Sequence, residues 1–234
     1  MFTKDEIKAR IRALRDEAVV KGELPIESEL NLALIILSTS LFHKKLRSGE
    51  DYSAHPLTVA TSYTRSKNKK IIGILHDVIE DSDWTLEDLE EVGFSERILR
   101  GVDGVTKRPG ELYFDFIVRC SLSGDDAIDV KINDLHHNSD STRYRHIDDS
   151  PKTLLKNEAY NISYHYLIDL KKFREDGTTH YNYPGTPMLD YIRSRAEFAA
   201  HPFRINELME AFSSENGRLP LNRPSCPWPG NNPS

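Results

Sequence analysis

The sequence predicts an all-α protein: a helical bundle in one domain, with an extra C-terminal helix and a Pro-rich tail. Apolar residues recur at spacings of three and four in nearly every segment, and no stretch shows the strict alternation of a half-buried strand. Ser, Thr and Gly stand where helices should start and stop.

In chain order, residues 4–21 place Ile7, Ile11, Leu14, Ala18 and Val19 at helical spacing among charges. Residues 26–46 do the same with Leu30, Leu34, Leu37 and Leu41. A loop follows at Ser48-Gly49-Glu50-Asp51, and His55-Pro56 marks a helix start, since proline is tolerated in the first turn. The next helix carries the heptad Leu75-His76-Asp77-Val78-Ile79-Glu80-Asp81. Thr85 with Glu87 and Asp88 reads as an N-cap with acidic first-turn residues, and Gly93 as a stop. Ser95-Glu96 opens a helix ending near Gly104 to Lys107, and further helices are expected over 111–122, 125–138 and 151–173. Residues 1–172 form the expected main domain. A C-terminal extension spans 173–218, with one helix over 188–213, and residues 219–234, which hold five prolines, form a flexible tail.

At 234 residues the chain is long enough to bury a sizeable core. A net charge of −6 disfavours general binding to nucleic acid, which usually calls for a basic face. Cys120 and Cys226 form neither a CxxC pair nor a disulfide framework, so a reducing compartment is the default. No apolar run approaches the length of a membrane span, and the charged N-terminus lacks a signal core, so the expected location is the cytoplasm.

The heptad is where chemistry enters. On a continuous helix His76 would stack with Glu80, and Asp77 with Asp81, inside an apolar frame led by Ile71-Ile72-Gly73-Ile74-Leu75. Imidazole and carboxylate groups on a buried helix are costly unless a cation or a network satisfies them. Two further segments can complete such a site. His55 offers an imidazole at a helix mouth, and Lys131, Asp134 and Asn138 share one helical face. The set His55, His76, Asp77 and Asp134 gives two nitrogens and two carboxylates without thiolate, which suits Mn²⁺ or Fe²⁺ and also admits Zn²⁺. Glu80 and Asp81 are the candidate catalytic carboxylates, placed to orient a water or protonate a leaving oxygen. Arg47, Lys44, Lys45 and Lys131 are candidates for neutralising phosphate charge.

The order His, His-Asp, Asp resembles the HD superfamily of metal-dependent phosphohydrolases, and within it the RelA/SpoT-type hydrolase domain. Three more stretches carry the resemblance: Ser48 to Pro56, Val102-Asp103-Gly104-Val105-Thr106-Lys107, and Val130 to Asn138. It covers roughly residues 5–170 and implies an HD-type bundle. It further implies Mn²⁺ held by His55, His76, Asp77 and Asp134, hydrolysis assisted by Glu80 and Asp81, and a nucleotide contact from Asn138. The substrate implied is a small-molecule nucleotide, (p)ppGpp, losing its 3′-pyrophosphate to a metal-activated water. The chain departs from the family pattern in two places. Leu46-Arg47 stands where the family has Arg-Lys, and Leu135 where it has Arg. It also resembles HD proteins that read Gly-Glu-x-Tyr, as Gly110-Glu111-Leu112-Tyr113 does here. A hydrolase or phosphatase for another nucleotide, and a nucleotide-binding regulatory module without turnover, therefore stay open. So does a homo-oligomer formed through the C-terminal extension.

Overall fold

The computed structural model describes residues 3–22, 25–41, 44–46, 49, 51–61, 65–140, 150–176, 184–199 and 202–213. Arg47, the basic patch at Arg143-Tyr144-Arg145 and the expected tail at 219–234 lie outside the described residues. The described chain is a helical bundle: its only β feature is an isolated antiparallel bridge between Lys45 and Asp51. The all-α expectation holds. No helix among the described residues is long and apolar enough to cross a membrane.

Helices α1 (Lys4–Val20) and α2 (Pro25–Ser40) open the fold. Thr3 caps α1 in a reciprocal box with Glu6. Ile7 and Ile11 are buried, whereas Leu14 and Val19 of the expected stripe are exposed. On α2 the buried face runs through Leu32, Ala33, Ile36 and Leu37, and Leu34 points outward. The helix stops at Ser40, earlier than the expected 46.

The centre of the bundle is α4 (Lys67–Leu75), which packs against α2, α3 (Ala54–Thr61), α7 (Glu96–Val105) and α9 (Asp125–Asn138). Its run Ile71, Ile72, Ile74 and Leu75 is buried, as its all-round apolarity requires. Gly73 sets the approach of α3: a Cβ there would lie 2.9 Å from the Ala60 Cα. That contact brings the His55 end of α3 toward the C-terminal end of α4. The helix α6 (Leu86–Glu91) carries the capping box of Thr85 and Asp88. Gly93 takes a φ of 97° after it, as a stop residue should.

The expected single helix through the heptad is interrupted. α4 ends at Leu75, α5 covers only Val78–Asp81, and His76-Asp77 form a turn between them. The single C-terminal helix expected over 188–213 is likewise three: α11 (Met188–Ser194), α12 (Ala196–Ala199) and α13 (Pro202–Phe212). Pro202, which cannot donate a backbone hydrogen bond inside a helix, opens α13.

These last helices share the main core. Met188, Tyr191, Ile192, Ile205 and Leu208 belong to the same buried cluster as α4 and α9. Polar contacts tie them to α8 (Tyr113–Ser121) and α10 (Pro151–Asp176). Tyr191 Oη donates to the buried Asp169 at 2.8 Å, and Ser213 Oγ donates to the buried Asp115 at 3.1 Å. Phe212 packs edge-on against Tyr113 and Phe114.

Candidate metal centre

The turn at residues 76–77 gives the site its geometry. Adjacent residues on a regular helix point about 100° apart and do not face each other. Here the break lets both side chains converge: His76 Nε2 lies 3.2 Å from Asp77 Oδ1. His55 comes in from α3, its Nε2 being 3.2 Å from His76 Nε2 and 3.6 Å from Asp77 Oδ2. Asp134 enters from α9, with Oδ1 at 3.1 Å from His55 Nε2 and 3.6 Å from His76 Nε2. Each imidazole thus touches both carboxylates. His55, His76 and Asp134 are buried, while Asp77 is partly open.

These spacings fit one small cation. Ligand atoms about 2.1 Å from a shared ion lie about 3.0 Å apart at right angles and about 3.4 Å apart at the tetrahedral angle. The observed separations of 3.1 to 3.6 Å overlap that range. The Nε2 atoms of His55 and His76 and an oxygen of Asp77 all lie within 4.8 Å of one another. Asp134 joins this group through its contacts with the two imidazoles.

A second layer holds the donors in place. His76 Nδ1 is 2.7 Å from the Gly73 carbonyl, which only accepts, so Nδ1 carries the proton and Nε2 of the neutral ring presents a lone pair inward. His55 Nδ1 meets His137 Nδ1 at 2.6 Å. Lys131 Nζ donates to Asp134 Oδ2 at 2.7 Å, and Asn138 Nδ2 donates to Asp134 Oδ1 at 2.6 Å. The shared face read along α9 is therefore a cradle for one carboxylate. The Lys131 ammonium also sits over the Phe116 ring, 4.7 Å from its centroid.

The electrostatics follow. Burial alone lowers an imidazole, but Asp77 and Asp134 outweigh it and lift His76 to about 9. Burial alone raises a carboxyl, yet Lys131, His55 and His76 hold Asp134 well below its ordinary value. Without a metal His76 holds a proton beside the two carboxylates, so a divalent cation must displace it and its affinity falls as the pH drops.

Glu80 and Asp81 do not share surroundings. Glu80 accepts the Lys107 backbone N–H at 2.5 Å, and its expected stacking on His76 is replaced by this contact. Glu80 is exposed as a residue. Its carboxyl is nonetheless pushed upward, first by desolvation, against the opposing Lys107 N–H and Lys131 charge. Asp81 accepts from Lys44 Nζ through Oδ1 at 2.8 Å, and its Oδ2 meets the Tyr52 hydroxyl. The same hydroxyl lies 3.0 Å from Asp77 Oδ2, so Asp77 and Asp81 are linked through Tyr52 and not by stacking on a continuous helix. Burial and both aspartates raise the Tyr52 phenol far above its ordinary value, so it stays a donor.

Of the candidate phosphate contacts, Lys44 pairs with Asp81, Lys45 with Asp51, and Lys131 with Asp134. Tyr52 lies in one of the resembling stretches but is not among the candidate site residues. Lys107 acts through its backbone N–H, and no side-chain pattern marks a backbone donor. A separate surface cavity of about 420 Å³ between α1 and α2, lined by Glu6, Ile7, Arg10, Ile35, Ser38 and Thr39, shares no residue with the site.

A segment of 67 residues, 27% of the chain, is 40% identical to a guanosine-3′,5′-bis(diphosphate) 3′-pyrophosphohydrolase of Aquifex aeolicus (strain VF5). A segment of 76 residues, 31% of the chain, is 41% identical to a GTP pyrophosphokinase of Myxococcus xanthus. Part of this chain is similar to RelA/SpoT-type enzymes. Each match covers 10% of the relative's own length. No family model matches the chain. The RelA/SpoT-type relatives carry names that place their activity on guanosine nucleotides, as hydrolase in one and pyrophosphokinase in the other.

Proposed function

We propose that the chain is an HD-type, metal-dependent phosphohydrolase whose substrate is (p)ppGpp, from which it removes the 3′-pyrophosphate. One observation carries the metal chemistry: His55, His76 and Asp77 lie close enough to share an ion, with Asp134 touching both imidazoles, beside a carboxyl raised by its surroundings, while the partial likeness to RelA/SpoT-type enzymes supports the substrate. His55, His76, Asp77 and Asp134 would hold the ion, Mn²⁺ first, with Fe²⁺ or Zn²⁺ also matching the donor set. When bound, it supplies Lewis-acid polarisation of a phosphoryl oxygen and lowers the pKa of water.

The chain's own residues do the rest. Glu80, with its raised carboxyl, exchanges the proton at its free oxygen while the Lys107 N–H fixes the other. Asp81 pairs with Lys44, and the Tyr52 hydroxyl, shared between Asp81 and Asp77, ties the two carboxylates together. Lys131 and Asn138 fix Asp134 so that Oδ1 faces the imidazoles.

A second reading, hydrolysis of a different nucleotide, is favoured by one feature. Where the resembling family has an arginine, this chain has Leu135, which is buried and offers no guanidinium. The test is incubation with Mn²⁺ and a nucleotide panel that includes ppGpp, with products identified. Pyrophosphate from ppGpp supports the first reading, and orthophosphate or tripolyphosphate from other nucleotides supports the second. Tight nucleotide binding with no product under any metal would leave a regulatory module. Hydrolysis undiminished in Asp77→Ala at saturating Mn²⁺ would sink the metal mechanism.

A further inference from the structure

The geometry points to a remote clamp that positions Glu80. Arg119 on α8 and Glu111 in the 106–112 loop hold the Lys107 N–H against the Glu80 carboxylate. The inference rests on the proposed role of Glu80 and extends it to residues that touch neither metal nor substrate.

The clamp is built in three steps. Arg119 meets Glu111 in a two-pronged pair, Nε to Oε1 at 2.7 Å and Nη2 to Oε2 at 2.8 Å, with both side chains largely buried. The same guanidinium donates to two carbonyls at the end of α7, Asp103 O at 3.0 Å and Thr106 O at 2.7 Å. Glu111 then folds the loop back on itself. Its Oε2 accepts the Arg108 N–H at 2.9 Å, its N–H reaches the Arg108 carbonyl at 3.0 Å, and its own carbonyl accepts Lys107 Nζ at 3.1 Å. Gly110, at a φ of 76°, supplies the left-handed residue this tight return needs. Lys107 is thereby fixed from both sides, and its N–H points at Glu80 Oε1, 2.5 Å away.

This accounts for two sequence stretches that the metal centre leaves unused. Val102 to Lys107 ends α7 and presents the N–H, and Gly110-Glu111 anchors it. A merely structural ion pair would need only charge at residue 119. The clamp needs the planar fork, because four acceptors around one guanidinium set the loop's register.

The test is a double-mutant cycle in Mn²⁺ with ppGpp, using Glu111→Ala and Glu80→Gln. In the otherwise native chain, E111A should lower kcat on the order of 10- to 100-fold with KM within about twofold, as expected for a misplaced proton-transfer group. In the E80Q background the same change should cost less than about threefold, because the residue it positions is already disabled. Equal losses in both backgrounds, or a loss carried by KM, would overturn the clamp. Removing Glu111 strands a buried guanidinium, so Arg119→Lys, which keeps the charge and drops the fork, is measured beside it. R119K should lose kcat as E111A does, and native kcat in R119K would count against the clamp. Exchange of the Lys107 amide proton separates this inference from the reading beneath it. If the native chain hydrolyses no nucleotide, the proposed function falls. The clamp then stands on faster Lys107 exchange in both E80A and E111A, and it falls if that exchange is unchanged.

Discussion

Glu80 and Asp81 are neighbours on one helical turn, yet they are built into opposite kinds of surroundings. Glu80 accepts the Lys107 backbone N–H, and desolvation outweighs that bond, so its carboxyl rises. Asp81 lies between the Lys44 ammonium and the Tyr52 hydroxyl. Desolvation raises the carboxyl of one, and the other is tied by Lys44 and by the Tyr52 hydroxyl that also reaches Asp77. Two acids in sequence therefore need not be a pair in function.

The largest effect should come from the first arm. Glu80→Gln keeps an oxygen for the Lys107 N–H and removes the titrating group, so kcat should fall by about 10²- to 10⁴-fold while Mn²⁺ affinity holds. Steady-state kinetics with a metal titration checks both. A metal-affinity loss as large as the kcat loss would erase the distinction between the two carboxylates.

Tyr52→Phe tests the second arm. It removes the hydroxyl that joins Asp81 to Asp77. Losing such an outer contact to a ligand typically costs about 10- to 100-fold in metal affinity. The expected outcome is a weaker Mn²⁺ midpoint by calorimetry, with kcat near native once Mn²⁺ is saturating. A kcat that stays low at saturation would move Tyr52 into the reaction itself.

Lys44→Met should do less. The Lys44–Asp81 pair is about one-third exposed on each side, at 31% and 36%, and such pairs contribute only about 0–1 kcal/mol. KM should stay within about twofold. A KM rise of tenfold or more in initial-rate measurements would show that Lys44 leaves Asp81 to meet substrate phosphate.

Much of this was legible in the sequence, for definite reasons. The helices of α4 and α9 follow from continuous or periodic apolar residues, and the α6 cap from Thr85 with Asp88. His55, His76, Asp77 and Asp134 come together in space as their residue types suggested. The break at His76-Asp77 was not legible, because both residues keep right-handed backbone angles and no Gly or Pro marks it. Tyr52 and the Lys107 N–H were missed for another reason. A hydroxyl 25 residues from its carboxylate and a backbone donor 27 residues away leave no periodic trace in the chain.

The smallest effect is on stability, and it also separates the two acids. Glu80's carboxyl is raised above its ordinary 4.5 in the folded chain, so the folded state prefers it protonated. That preference stabilises fully below pH 4.5 and is lost as the pH rises through the higher folded value. Above that folded value the stabilisation is gone, and ionising Glu80 works against its desolvated surroundings. In metal-free protein, Glu80→Gln should melt above the native chain at pH 7, with the gap closing as the pH falls below about 4.5. Asp81→Asn strands Lys44 beside an amide and should melt at or below the native chain at pH 7. Thermal melts of the two variants across pH 4 to 8 decide it: curves that track each other would mean that the protein treats these neighbours alike.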